Sequence, residues 1–165
     1  TRQLFLSVSL LGEVPRGGSP GRSGGRPGDS LFVTGKLGGS WPRRHLTFEP
    51  RLAEGQWLVR RRFASAMLDL SDGLGADLPR MARASRVGFQ IDPKKLPLAP
   101  GATPRMALTQ GEDYELLFSV PPRQVSLLRK QWPFSTPLTE IGRLFPKSRG
   151  FHAGGLPLQG YDHFR

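Results

Sequence analysis

The stretch that most constrains this chain runs from Ala66 to Leu78, where a short apolar run gives way to helical spacing. Such a change of period predicts a strand that turns directly into a helix. Asp69, Ser71 and Asp72 lie at the change. Because side chains alternate along a strand, Asp69 and Ser71 share one face, and Asp72 follows where the chain turns. The sequence therefore predicts two carboxylates and a hydroxyl at one strand end.

These three side chains allow two interpretations. Carboxylate and hydroxyl oxygens are hard ligands, which suit Mg²⁺ better than a transition metal. A helix that opens at Gly73 would also direct backbone N–H groups at the same place, which favours a phosphate. The simpler alternative is a structural turn in which Asp72 is only the N-cap of the helix. The residues alone leave both interpretations open.

Composition excludes several classes of protein. A chain of 165 residues is large enough for one domain with a core, and 37% hydrophobic residues are too many for a disordered chain. The sequence has no cysteine, which excludes a disulfide framework, a thiolate nucleophile and a zinc–thiolate site, and fits a cytoplasmic protein. No apolar run approaches the roughly 20 residues of a membrane span, so we expect no membrane partner.

The net charge of +11 raises the question of a nucleic-acid partner. Only five of the 24 basic residues are lysine, and the basic residues are scattered in ones, twos and threes. The tightest group, Arg60–Arg62, falls at the predicted end of a helix, where cations suit the helix dipole. We therefore expect anionic small substrates and no nucleic acid.

Catalytic motifs other than the acidic stretch are missing. His45, His152 and His163 lie far apart and have no metal-ligand spacing. No serine stands in a G-x-S-x-G context, so a hydrolase triad has no support. The glycine-rich loop from Arg16 to Gly28 fits neither phosphate-binding fingerprint. The acidic residues near Ser71 are therefore the candidate functional groups that this sequence indicates.

The remaining pattern alternates strands and helices. The opening run, Leu4–Leu11, predicts a strand, and because the chain starts at Thr1 without an initiator methionine we expect a piece of something longer. Further strands are predicted over 29–34, 88–92, 139–145 and the apolar run before Pro121. Helices are predicted after Pro50, after Asp72 and over 123–132. Pro79 leaves two starts open for the helix after Asp72, since a start at Gly73 places Pro79 inside the helix and a start near Asp77 does not.

Several motifs together resemble the thiamine-monophosphate kinase family, of the aminoimidazole-ribonucleotide-synthetase-like (PurM-like) superfamily. The Glu112–Phe118 run, Glu-Asp-Tyr-Glu-Leu-Leu-Phe, is the most specific of them, whereas Ser71–Leu74 is shared loosely across the superfamily. The other matching segments are Gly12–Pro15, Arg22–Gly24, Pro27–Asp29, Val33–Gly35, Arg44–Leu46, Ala66–Leu78 and Gly160–Phe164. The resemblance implies an α+β fold, a mixed β-sheet flanked by helices, as in the superfamily's C-terminal domain.

The resemblance also implies a reaction, the ATP- and Mg²⁺-dependent phosphorylation of thiamine monophosphate to thiamine diphosphate in the cytoplasm. By likeness to the family, Asp69 and Asp72 bind Mg²⁺, Ser71 contacts ATP and Arg22 reaches the nucleotide phosphates. No residue of this chain is assigned as catalytic.

On the substrate side, the same resemblance implies that Glu112 binds thiamine monophosphate and that Tyr161 stacks against it. It divides the chain into the end of an N-terminal domain over 1–28, with its strand and Gly/Arg-rich loop, and a C-terminal α+β domain over 29–165. The full-length family is expected to form a homodimer.

Three departures from the family pattern stand out. The family's N-terminal ATP and Mg²⁺ domain is absent from the sequence. The Gly38–Arg44 segment is short, with Trp41-Pro42 where a small-residue helix is expected. Gln110 replaces the first glycine of Gly-Gly-Glu-Asp, and Ser19–Gly21 replaces apolar residues before Arg22. Two alternatives therefore stay open: a non-catalytic nucleotide-binding or interaction domain from a truncated kinase, and a related enzyme such as selenophosphate synthetase or a hydrogenase-maturation protein.

Overall fold

A computed structural model describes residues 6–14 and 18–161. The strands within these ranges are β1 (Ser30–Thr34), β2 (Ala66–Asp69), β3 (Val87–Ile91), β4 (Leu116–Val120), β5 (Leu138–Pro146) and β6 (Phe151–His152). The α-helices are α1 (Leu52–Arg60), α2 (Leu74–Ser85), α3 (Pro104–Thr109) and α4 (Pro122–Gln131). None of the helices in these ranges is long and apolar enough to cross a membrane.

The strands form one six-stranded sheet in the order β2-β4-β1-β5-β3-β6. Every neighbouring pair is antiparallel except β3 and β6, which run parallel. The sheet is therefore mixed, and with its helices it confirms the predicted α+β class. The central strand β1 is buried along its whole length.

Alternation along β1 divides the core into two layers. Leu31 and Val33 point into the larger cluster, together with the apolar faces of α2 and α3. Phe32 points to the opposite side, where Leu58 of α1 and Leu128 of α4 complete a second cluster. Phe32 also stacks on Phe118 of the neighbouring strand, with ring centroids 5.8 Å apart. The sheet thus has a helical layer on each face.

The strand–turn–helix unit predicted over 66–78 is present as β2 and α2. The N-cap of α2 is Gly73, at φ 96°, and its carbonyl accepts from the N–H of Ala76 and of Asp77. The interpretation of Asp72 as N-cap is therefore wrong, because Asp72 precedes the cap and donates its N–H to the Asp77 carboxylate at 3.0 Å. The start near Asp77 is also wrong, because α2 begins at Leu74. Pro79 therefore lies inside the helix.

The strand predicted over 4–11 does not form where the structure describes it. Residues 6–14 have no regular structure, and the side chains of Leu6, Val8 and Leu10 are all exposed. Leu4 and Phe5 lie outside the described residues. An apolar alternation becomes a strand only when a neighbouring strand takes its N–H and C=O groups. Residues 6–14 have no such neighbour in the described part of the chain.

The other predicted elements are confirmed, and the structure adds two that were not predicted, strand β6 and helix α3. The strands over 29–34, 88–92 and 139–145, the strand before Pro121 and the helices after Pro50 and over 123–132 match β1, β3, β5, β4, α1 and α4 within two residues at their ends. Helix α3 was not predicted. Its N-cap, Thr103, accepts the N–H of Met106 at 3.2 Å, and Pro104 occupies the first helical turn.

Two glycine positions give opposite predictions for stability. A Cβ at Gly142 would lie 2.1 Å from the carbonyl oxygen of Gln90, across the β3–β5 pairing. We expect Gly142→Ala to lower the free energy of unfolding by about 1–3 kcal/mol. Gly55 lies within α1, where a Cβ would meet only Leu116 at an ordinary 3.7 Å. Gly55→Ala should raise stability by about 0.5–1 kcal/mol. Urea titrations measure both, and a Gly142→Ala variant as stable as the wild type would contradict the packing of β3 against β5.

Candidate functional site

The acidic turn before β4 is bound to the end of β2 by its backbone. The N–H of Glu112 donates to the carbonyl of Ser71 at 2.7 Å, and the N–H of Tyr114 donates to that of Leu70 at 2.8 Å. Glu112 and Tyr114 both have positive φ, at 64° and 50°. Their side chains stay partly exposed, whereas the two alternate residues, Asp113 and Glu115, are buried. The predicted motif therefore has an outer pair and an inner pair.

The inner residue Asp113 fixes the segment that follows β1. Its carboxylate accepts the Gly38 N–H at 3.0 Å, the Ser40 hydroxyl, and the Arg44 guanidinium at 2.8 Å. The Asp113 side chain has no exposed surface. Burial raises the pKa of Asp113, and the hydrogen bonds from Ser40 and Gly38 and the charge of Arg44 oppose that effect. These bonds hold residues 38–44 against the acidic turn.

The second inner residue, Glu115, fixes the start of α1. Arg51 donates from Nε to Oε2 at 2.7 Å and from Nη2 to Oε1 at 2.8 Å. The Thr34 hydroxyl adds a third bond at 2.8 Å. The hydrogen bond to Glu115 raises the pKa of Arg51. The Glu115 carboxylate thus joins the end of β1 to the residue that precedes α1 by charge-assisted hydrogen bonds.

A cavity of about 510 Å³ lies beside the outer pair. Three of the predicted site residues line it, although they come from distant parts of the chain: Ser71, Glu112 and Tyr161. The cavity has four further lining residues, which the sequence did not indicate as site residues: Trp41, Thr109, Gln110 and Gly111. Trp41 and Gln110 are two of the departures from the family pattern. The sequence therefore indicated both positions as unusual, but it did not show that they line one cavity.

Tyr161 reaches this cavity because the preceding backbone packs on the first turn of α2. The Tyr161 N–H donates to the carbonyl of Asp72 at 2.9 Å. A Cβ at Gly160 would lie 2.3 Å from Cβ of Ala76 and 2.4 Å from the Asp72 carbonyl oxygen, so only glycine permits this approach. Tyr161 itself remains 59% exposed.

The predicted metal-binding aspartates, Asp69 and Asp72, lie near Tyr114 and do not line the cavity. Tyr114 stacks on Phe48 with ring centroids 4.2 Å apart. Burial raises the pKa of Tyr114, and the charges of Glu112, Asp69 and Asp72 raise it further. The phenol therefore remains protonated, and three predicted site carboxylates are close enough to act on it.

Asp72 takes part in an ion-pair network at the start of α2. Arg80 binds the carboxylates of both Asp72 and Asp77, the latter at 2.7 Å. Its hydrogen bond to Asp72 is the largest cause of the raised pKa of Arg80. Asp77 is buried, and burial raises its pKa. Arg80 thus occupies one side of the Asp72 carboxylate.

The carboxylates of the described residues meet only part of what a Mg²⁺ site requires. Across residues 6–14 and 18–161, no three His, Cys, Asp or Glu side chains form a group that could hold a metal ion. Mg²⁺ is commonly bound by one or two carboxylates together with water and substrate phosphates. Asp69, exposed at the end of β2, and Asp72 fit that smaller requirement in type and number. They do not make a complete protein site.

Like Asp69 and Asp72, Arg22 is a predicted site residue that does not line the cavity. Its carbonyl accepts the hydroxyl of Ser85 at 3.2 Å, at the C-terminal end of α2, and the residue is exposed. A larger open groove of about 750 Å³ along β3 and β5 contains none of the predicted site residues. Two of its arginines, Arg129 and Arg143, are paired with Glu140.

The raised pKa of Asp113 predicts an unusual pH dependence. In the unfolded chain Asp113 loses its proton near pH 4, whereas in the folded chain it keeps it to higher pH. The folded state then binds more protons, so its stability relative to the Asp113→Asn variant should fall as the pH rises above about 4 and level off beyond the folded-state pKa. Urea titrations of both proteins at stepped pH measure this difference. A difference that grows with pH would show that the hydrogen bonds outweigh burial.

Comparison with known sequences gives a consistent result. No family model matches the sequence. The thiamine-monophosphate kinase of Rhodopirellula baltica is 36% identical over 151 residues, which cover 86% of this chain and 47% of that protein. The thiamine-monophosphate kinase of Salmonella typhimurium is 34% identical over 197 residues, covering 98% of this chain and 60% of that protein.

Solved structures agree. The thiamine-monophosphate kinase of Stenotrophomonas maltophilia matches with a TM-score of 0.75 and 30% identity, over 87% of this chain and 55% of that one. The Aquifex aeolicus enzyme complexed with AMPPCP and TMP matches with a TM-score of 0.67 and 31% identity, over 88% and 54%. The Escherichia coli hydrogenase maturation protein HypE, at 20% identity and a TM-score of 0.67, shares the fold, as expected for PurM-like proteins.

The chain thus aligns along most of its length, at about one third identity, with proteins of one name, and it spans about half to three fifths of their length. The thiamine-monophosphate kinases above are 30–36% identical to this chain, whereas HypE is 20% identical, so the alternative of a selenophosphate synthetase or a hydrogenase-maturation protein is not supported. The chain is homologous to thiamine-monophosphate kinases over this part of their length.

Proposed function

We propose that this chain provides the thiamine-phosphate side of an ATP-dependent kinase that converts thiamine monophosphate to thiamine diphosphate. The observation that carries the proposal is the cavity lined by Ser71, Glu112 and Tyr161. Each of these residues was assigned to ATP or to thiamine phosphate from its motif alone, and the three come together at one place. The relative solved with AMPPCP and TMP supports the choice of both substrates.

The side chains around the cavity suit a ligand with charge of both signs. The carboxylate of Glu112 is 42% exposed and can lie near the cationic thiazolium ring. The exposed ring of Tyr161 can stack on a flat heterocycle. The hydroxyl of Ser71, just before the N-terminus of α2, can donate to a phosphate oxygen, and the helix dipole favours the same negative charge. The cavity thus binds and orients the acceptor phosphate.

Phosphoryl transfer requires positioning and neutralised charge more than covalent chemistry. Bound Mg²⁺ would neutralise phosphate charge, and we propose that Asp69 and Asp72 hold it. Arg80 forms an ion pair with the Asp72 carboxylate. We assign Arg22 to the nucleotide phosphates as a residue outside the cavity. No residue of this chain is proposed as a general base.

The wider setting belongs to the same proposal. We propose a cytoplasmic enzyme that forms a homodimer at full length, with residues 1–28 closing an N-terminal domain and residues 29–165 forming the C-terminal one. A second candidate is a non-catalytic binding domain. Its support is the part-length match to the relatives, together with the small number of carboxylates that the described residues bring to the metal position.

Ligand binding and turnover together test the proposal. We expect saturable binding of thiamine monophosphate by this chain in calorimetry, and formation of thiamine diphosphate, with ATP and Mg²⁺ added, only when an N-terminal domain of the family is fused to it or supplied. Binding without product even then would favour the non-catalytic candidate. Binding of neither thiamine monophosphate nor ATP would refute both.

Glu112 gives a prediction for substrate affinity. Glu112→Gln removes the charge that faces the thiazolium ring, so thiamine-monophosphate affinity should fall about two- to fivefold, as expected for a half-exposed ion pair. ATP affinity should stay unchanged. Glu140→Gln is the matched control, because Glu140 is a partly exposed carboxylate in the groove along β3 and β5. Equal losses for both ligands would indicate that Glu112 only maintains the turn.

Asp69 gives a prediction for the metal. Because Asp69 is exposed at the end of β2, Asp69→Asn should change the free energy of unfolding by no more than about 0.5 kcal/mol. Loss of one charged ligand should weaken ATP binding in the presence of Mg²⁺ by roughly tenfold. Titrations of ATP with Mg²⁺ and with a chelator separate the two contributions. Identical Mg²⁺-dependent affinities in both proteins would remove Asp69 from the metal site.

A further inference from the structure

Trp41 is an exposed aromatic side chain in the cavity wall. It is 68% exposed, and it is one of the cavity-lining residues to which the family likeness assigns no role. Its ring stacks on His45 with centroids 4.7 Å apart and an interplanar angle of 21°. A large apolar ring left in solvent beside a cavity is available to a ligand.

The position of Trp41 is fixed by the segment that carries it. Gly38 and Ser40 before it, and Arg44 after it, all bind the buried carboxylate of Asp113. A segment held on both sides of Trp41 has little freedom to move the ring away. The cavity wall is therefore preorganised, which lowers the entropic cost of binding a ligand against it.

Two departures from the family pattern meet at this point. Gln110, which replaces a motif glycine, accepts the N–H of Gly39 through Oε1 at 3.1 Å. Gly39 lies two residues before Trp41, in the segment that is shorter than the family pattern. A glycine at position 110 would have no side-chain amide to accept this hydrogen bond. The Gln110 amide thus helps to hold the segment that carries Trp41. Both residues line the cavity.

We propose that Trp41 is a specificity-determining residue, which binds the cationic thiazolium ring of thiamine monophosphate against its face. This inference rests on the proposed function and adds a contact to it. Tryptophan is the best side chain for cation–π binding, and an exposed ring can make such a contact directly with a ligand. His45 supports the arrangement, since its Nε2 lies 4.0 Å from the Glu112 carboxylate while its ring stacks on Trp41. The tryptophan face and the Glu112 charge then act on the same cation.

The test compares Trp41→Leu with the wild-type chain, using two probes. The first is thiamine monophosphate, and the second is an analogue phosphate in which a neutral thiophene ring replaces the thiazolium. We expect Trp41→Leu to weaken thiamine-monophosphate binding by about two- to fivefold more than it weakens binding of the neutral analogue. Leu46→Ala is the matched control, because Leu46 is an exposed apolar residue of the same region that does not line the cavity.

Fluorescence provides a second readout that does not depend on turnover. Trp57 and Trp132 are partly buried, pack with each other and with Phe134, and do not line the cavity, so a bound ligand should quench mainly the emission of Trp41. Trp41→Phe should retain most of the affinity and lose the quenching.

The outcomes separate this inference from the proposed function. Wild-type binding of thiamine monophosphate with equal losses for both probes in Trp41→Leu would overturn the role of Trp41 alone. No binding of thiamine monophosphate by the wild-type chain would overturn the role of Trp41 together with the proposed function. A folded Trp41→Leu variant, verified by its circular dichroism, is required for the comparison of the two probes, and Trp41→Ala serves in its place if that variant does not fold.

Discussion

The rest of the site depends on the ion pairs and hydrogen bonds of two buried carboxylates, those of Asp113 and Glu115. Burying a carboxylate is strongly unfavourable unless it is paired and fully hydrogen-bonded. Asp113 meets that condition with Arg44, and Glu115 meets it with Arg51. Because these two side chains point inward, the alternate residues of the turn, Glu112 among them, point outward to the cavity. One turn therefore fixes both the scaffold and the surface that faces a ligand.

The start of α2 is the second element that the cavity requires. Gly73 caps the helix by its backbone alone, which leaves the side chains of Ser71 and Asp72 for other contacts. The carbonyl of Asp72 holds the C-terminal segment through the Tyr161 N–H. Contacts between residues far apart in sequence thus gather at a single strand end. Such an arrangement is typical of ligand sites at the edge of a sheet.

Sequence reasoning predicted the local elements of this fold and missed what depends on distant partners. The change of period at Ala66–Leu78 defined β2 and α2, because each period requires a particular backbone. The strand predicted over Leu4–Leu11 does not form from residue 6 onward. An alternating apolar sequence cannot by itself provide the neighbouring strand with which it must pair. Helix α3 was missed although Thr103-Pro104 is a good start signal. The role of Trp41 could not be predicted, because its place is set by hydrogen bonds to Asp113 and Gln110 far along the chain.

The charge of the whole chain and the charge at the cavity have opposite signs. A net charge of +11 favoured anionic ligands, yet Asp69, Asp72 and Glu112 are gathered within electrostatic reach of one phenol, that of Tyr114. A long-range positive field can draw in a phosphate-bearing ligand, while the local carboxylates select its cationic part. The proposed ligand, thiamine monophosphate, carries a phosphate and a thiazolium and would satisfy both fields at once. A simple anion would satisfy only the first, so the local arrangement, and not the composition, determines which molecule fits.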